Sequence, residues 1–141
     1  MVATDTQPVL ALKDRFGAPL AEFYHFPQRR VLYVRWHGNL TAEEVVGGVR
    51  AAMQLMDKHP FSHVLNDKRD TGGDWSEALP WLQYEWRPLA VAAGIRTIAY
   101  ILSPDFTAQL VSGNFAAAMY GQINVTLFTS EKEARRWLQA Q

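Results

Sequence analysis

The chain has 141 residues, is 48% hydrophobic and 12% aromatic, and sets 14 lysines and arginines against 14 aspartates and glutamates, with no cysteine. A length near the roughly 150 residues of one domain, together with that apolar share, excludes a chain too polar to bury a core. Zero net charge excludes the basic footprint that nucleic acids and anionic membranes attract, and the missing cysteines exclude disulfides, thiolate metal sites and thiol nucleophiles.

Residues 1–8 read as a flexible tail and 9–141 as a single domain, with Val9 to Leu12 an optional edge strand. Leu20–Phe26 and Val31–His37 are β-branched and aromatic runs joined by Pro27, Gln28, Arg29 and Arg30, the pattern of a hairpin. Leu32, Val34 and Trp36 alternate with Val31, Tyr33 and Arg35, and Gly38 is expected to end the run. Thr41 and Glu44 then form a capping box. The helix they open carries Val45, Val49, Ala52 and Met56 on one face and stops before Pro60. Gly47 and Gly48 inside it point to close packing against a neighbouring element, since each costs up to about 1 kcal/mol of helix propensity.

His63–Asp67 reads as a short strand running into a polar loop, Lys68 to Asp74. Asp74 or Ser76 caps the next helix, which runs to about Ala93 with Trp75, Leu79, Leu82, Trp86 and Leu89 along its buried face, a kink at Pro88 and a stop at Gly94. Arg96–Leu102 is apolar enough for a strand buried on both faces. Ser103 as cap and Pro104 in the first turn open a helix to about Tyr120, Val125–Phe128 forms the last strand, and Ser130 with Glu133 caps the terminal helix. The order β-β-α-β-α-β-α-β-α predicts an α/β fold: a mixed, mostly parallel sheet with an N-terminal β-hairpin and four helices.

This order, with the stretches WHGNLTAEE, HVLNDKRD, RTIAYIL and LFTSEKEARRWL, resembles the STAS-like superfamily, the fold of bacterial anti-sigma-factor antagonists. Within it the chain is most similar to stand-alone bacterial STAS-like proteins, over Tyr24 to Leu138. The resemblance implies a non-catalytic regulatory module that acts through protein association. It also implies a phosphorylation switch at a Ser in an Asp-Ser-x-Gly stretch, whose nearest match here is Asp70, Thr71, Gly72, Gly73, with Thr in place of Ser and a shorter loop. Phosphate at a helix start would be held by free amides, although the same residues also serve simply to turn the chain. A looser likeness to CRAL-TRIO lipid-binding domains implies the alternative of a carrier for a small apolar or lipid-like ligand.

Two groups of residues are candidates for a site. Asp67, Asp70, Thr71, Ser103 and Asp105 fall beyond the carboxyl ends of strands, where open α/β sheets bind ligands. The spacing of Asp67, Asp70 and Asp74 is not that of a calcium loop, and Lys68 and Arg69 neutralise part of their charge. The second group is aromatic and apolar: Trp75, Trp81, Tyr84, Phe106, Leu110 and Phe115. Trp81 and Tyr84 project away from the helix face that Trp75, Leu79, Leu82 and Trp86 account for, and a helix apolar on more than one face needs a second cover. That cover is a second copy of the chain, another protein, an apolar ligand or a neighbouring helix. The four histidines read as hydrogen-bonded structural residues. No Gly-x-Ser-x-Gly elbow or nucleotide-binding glycine turn occurs, so no catalytic residue, metal ligand or cofactor is expected. Lacking a signal-peptide pattern and any apolar run of about 20 residues, the chain is expected to be cytoplasmic, without membrane insertion.

Overall fold

In the computed structural model, which describes residues 7–141, the strand-forming runs build one six-stranded sheet in the order β1-β2-β3-β4-β5-β6. β1 (Leu10–Lys13), β2 (Pro19–Phe26) and β3 (Val31–Asn39) are antiparallel neighbours, whereas β3, β4 (His63–Gly72), β5 (Thr97–Ile101) and β6 (Asn124–Phe128) are parallel. The optional edge strand is β1; residues 1–6 of the expected tail lie outside the described residues. Each parallel step needs a crossover: α1 (Ala42–Gln54), a composite segment containing α2 (Leu79–Trp81) and α3 (Arg87–Ala92), and α4 (Phe106–Met119). Parallel crossovers share one hand, and these strands are added in one direction, so the three crossovers cover the same face. Only α5 (Glu131–Gln139) packs on the other face.

The first face buries Phe23, Leu32, Val34, Trp36, Ile98 and Tyr100 against Val45, Trp86 and Phe115. Phe115 is the hub of its aromatic cluster, with ring centroids 6.4, 6.2 and 6.1 Å from those of Trp75, Trp86 and Tyr100. On the second face Val31, Tyr33, Leu65, Ala99 and Ile101 meet Ala134 and Leu138 of α5.

The Thr41 box forms as expected: Glu44 N donates to Thr41 Oγ1 at 3.1 Å and Thr41 N to Glu44 Oε1 at 3.0 Å. The glycines behind it divide. A Cβ on Gly48 would overlap the Trp36 ring, so α1 approaches the sheet only because that position is bare, while Gly47 faces open space and packs against nothing. Gly38 does not end β3, which carries it at φ 84° and continues to Asn39.

Three further expectations are corrected. The stretch Lys68–Gly72 is strand rather than loop, because it continues the pairing with β3 and its polar groups find partners, Arg35 across the sheet for Asp70 and Asp67 and Lys68 O within β4 for Arg69 and Thr71. The helix after β4 is not continuous: a 3₁₀ turn (Ser76–Ala78) and α2 lead into a π-helical turn (Leu82–Trp86) before α3. Pro88 sits at the π-to-α junction, where it has no N–H to give and its ring crowds the preceding turn. The wider π turn moves the buried stripe to Ala78, Leu82, Trp86 and Ala90, leaving Leu89 62% exposed instead of buried. Finally, Asp105 rather than Ser103 caps α4, its Oδ2 accepting from Ala108 N at 3.1 Å.

Candidate functional site

β4 carries the site because of a bulge. Arg35 pairs with Asp67 and His37 with Asp70, so Lys68 and Arg69 together oppose Trp36. Strand alternation sends Asp67 and Lys68 to opposite faces, and the extra residue leaves Arg69 and Asp70 both on the α5 side.

On that side the charges are fully engaged. Asp67, 1% exposed, accepts from Tyr33 OH at 2.8 Å and from Arg69 Nε and Nη2 at 3.0 and 2.6 Å. Arg69 reaches on to Glu131 at 2.8 Å, and Glu131 to Arg135 at 2.6 Å, which ties α5 to β4. Burial alone would push the Asp67 carboxyl up, but the hydrogen bonds from Arg69 and Tyr33 outweigh it and hold the group below its ordinary range. The Tyr33 hydroxyl is pushed up by burial and by the Asp67 carboxylate beside it. Asp70 pairs with Arg35 at 2.7 Å near the surface.

On the opposite side Lys68 enters the apolar core with 3% exposure. Its Nζ lies 3.9 Å from the Trp75 ring centroid, 5.1 Å from that of Trp36 and 5.6 Å from that of Tyr100. Among the described residues it has no hydrogen-bond or ion-pair partner, and desolvation lowers its pKa to about 7. Lys68 lines a cavity of about 70 Å³ between β3–β5 and the helices, with Trp36, Gly48, Ala52, Trp75 and Trp86 among its walls. The Trp86 Nε1 is buried without a hydrogen-bond partner. Asn66 Oδ1 accepts from Trp36 Nε1 at 2.7 Å, and Ser112 Oγ donates to Tyr100 OH at 2.7 Å.

The residues singled out from sequence do not form one site. Asp67 and Asp70 sit on the α5 side, as above. Thr71, Ser103 and Asp105 do meet at the carboxyl end of β4: Thr71 Oγ1 donates to Lys68 O at 2.8 Å, Ser103 Oγ donates to Thr71 O, and Asp105 N donates to Ser103 Oγ at 3.0 Å. Thr71 is buried in a strand with its hydroxyl engaged, rather than displayed at a helix start. Trp75 and Phe115 are core residues, not surface ones, and Trp81 is half-buried beneath the Arg50 guanidinium at 5.2 Å. Tyr84, Phe106 and Leu110 are exposed by 66%, 72% and 55%. His25 bonds Pro60 O, His37 bonds Glu22, His63 bonds Thr97, and His59 packs edge-on against His25. No cluster of three or more histidines, aspartates or glutamates suited to a metal occurs among the described residues. Nor is any described helix long and apolar enough to cross a membrane. Lys68, which sequence reasoning passed over, had one readable signal: with Val64 and Asn66 it continues the alternation that faces the crossover helices.

A mixed sheet entered through a hairpin, with three crossover helices on one face and a capped terminal helix on the other, defines a STAS-like α/β module. The chain belongs to the SpoIIAA-like family, whose family model matches residues 31–139, from β3 through α5. No curated protein and no solved structure matches it. Membership makes it a STAS-like regulatory module in general terms, of a kind that typically interacts with proteins and is generally non-catalytic.

Proposed function

We propose that this chain is a non-catalytic, cytoplasmic regulatory module that acts by associating with protein, first of all with a second copy of itself. The observation that carries this reading is the exposed trio Tyr84, Phe106 and Leu110, set on the π-helical turn and on α4, which pack side by side. Large apolar groups displayed on adjoining elements are what an association surface needs. The carboxylates of the strand-end group support the non-catalytic part, since Asp67, Asp70 and Asp105 are all committed to structural bonds. Sedimentation velocity tests it. The wild-type chain is expected to sediment as a dimer and the Phe106→Glu, Leu110→Glu double variant as a monomer with an unchanged circular dichroism spectrum. A wild-type chain that stays monomeric at high concentration overturns self-association.

A second reading, a carrier of a small apolar ligand, is favoured by the cavity beside Lys68, a space walled by Trp36, Trp75 and Trp86. Neither reading needs phosphorylation of Thr71, whose hydroxyl would first have to leave Lys68 O and emerge from the strand.

A further inference from the structure

We propose that Lys68 makes this cavity selective for a small apolar monocarboxylate, with the ammonium pairing to the carboxylate and the aromatic and aliphatic walls taking the hydrocarbon. The inference rests on the carrier reading and adds the chemical class of its ligand.

Three observations converge on it. Lys68 is buried, and its Nζ faces only the rings of Trp36, Trp75 and Tyr100. Ring faces attract a cation but leave its N–H donors without a full acceptor, and an unmet buried donor is costly. The side-chain acceptors beside it are already engaged, Asn66 Oδ1 by Trp36 Nε1 and Tyr100 OH by Ser112 Oγ. A spare cationic donor beside engaged side-chain acceptors calls for an acceptor that carries negative charge. The space is small: at about 70 Å³, and with one water needing roughly 10–15 Å³, it holds a handful of non-hydrogen atoms, the size of a short branched acid.

The pairing is proton-linked. Desolvation lowers the Lys68 pKa to about 7, and Tyr100, the other titratable group of the wall, is pushed up by burial and stays neutral. The residues that line the cavity from α1 (Val45, Gly48, Val49, Ala52 and Met53), and Trp75, Trp86 and Phe115, carry no charge. Above about pH 7, forming the ion pair therefore takes up one proton, so the carboxylate's Kd rises about tenfold per pH unit. A neutral isostere has no such dependence.

Calorimetric titration of the full chain with isovalerate and isovaleramide, from about pH 6 to about pH 9, tests this alongside Lys68→Met and Ala52→Phe. Isovalerate is expected to bind roughly tenfold or more tighter than the amide at the acid end and to lose about tenfold per unit above pH 7. Lys68→Met abolishes the preference for the acid but keeps amide binding; Ala52→Phe, which fills the cavity, abolishes both. Equal affinity for the two ligands, a flat pH profile, or an acid preference that survives in Lys68→Met overturns the carboxylate inference and leaves the carrier reading standing. Failure of both ligands to bind overturns the two together.

Discussion

Asp67 and Lys68 are neighbours in the chain, oppositely charged and exposed by only 1% and 3%, yet the sheet runs between them and they meet different worlds. Asp67 accepts from a tyrosine and an arginine and passes its charge along Arg69, Glu131 and Arg135 to α5. Lys68 meets three aromatic rings and no acceptor. The difference teaches that burial by itself says little about a charge: with partners, the fold stabilises the ion, and without them it stabilises the neutral form.

The sharpest way to break this contrast is Lys68→Met. The free amine holds its proton up to about 10.5 in the unfolded chain but only to about 7 in the fold. Between those values the unfolded chain binds more protons, so stability rises with pH across that window, and the penalty is complete below about pH 7. Removing the amine is expected to stabilise the protein by about 4 kcal/mol near neutrality and to flatten the rise, as urea unfolding at several pH values would show. A less stable variant, or one that keeps the rise, rules out the bare-lysine account. Arg69→Met acts in the opposite direction and is the next largest. Asp67, held below its ordinary range, contributes stability that is present above that range and lost as pH falls through it. Arg69 is about one-third exposed, so its loss is expected to cost about 2–3 kcal/mol, at the low end for a buried pair, and to weaken the acid dependence. Smallest is the helix pair on the Lys68 side. Gly48→Ala should cost about 1–3 kcal/mol because the Trp36 ring must move, whereas Gly47→Ala should gain up to about 1 kcal/mol of helix propensity. Thermal melts that show both substitutions with the same sign would contradict the packing described for α1.

Much of the scaffold was legible from local chemistry. The Thr41 and Ser130 caps, the hairpin at Pro27–Arg30 and the apolar β5 all declare themselves through short-range rules. What was not legible depends on distant partners. Lys68–Gly72 reads as a loop because two of its charges are answered by distant residues, Asp70 by Arg35 on β3 and Arg69 by Glu131 at the start of α5. Phe115 reads as part of an apolar surface patch until it is seen packed against Trp75, Trp86 and Tyr100. The π turn hid the rotation that buries Ala90 and exposes Leu89, since a 3.6-residue period favours the leucine. Of the two aromatics read as projecting away from the buried face, Tyr84 is 66% exposed, whereas Trp81 is half-buried beneath Arg50.

The strand order carries a kinetic meaning as well. Every hydrogen-bonded pair in the sheet joins consecutive strands, so the sheet itself closes nothing longer than one hairpin or one strand-helix-strand unit at each step. Loop-closure entropy is met in small instalments, and a six-stranded, partly parallel sheet can grow by one strand at a time with no early strand waiting for a late one to arrive.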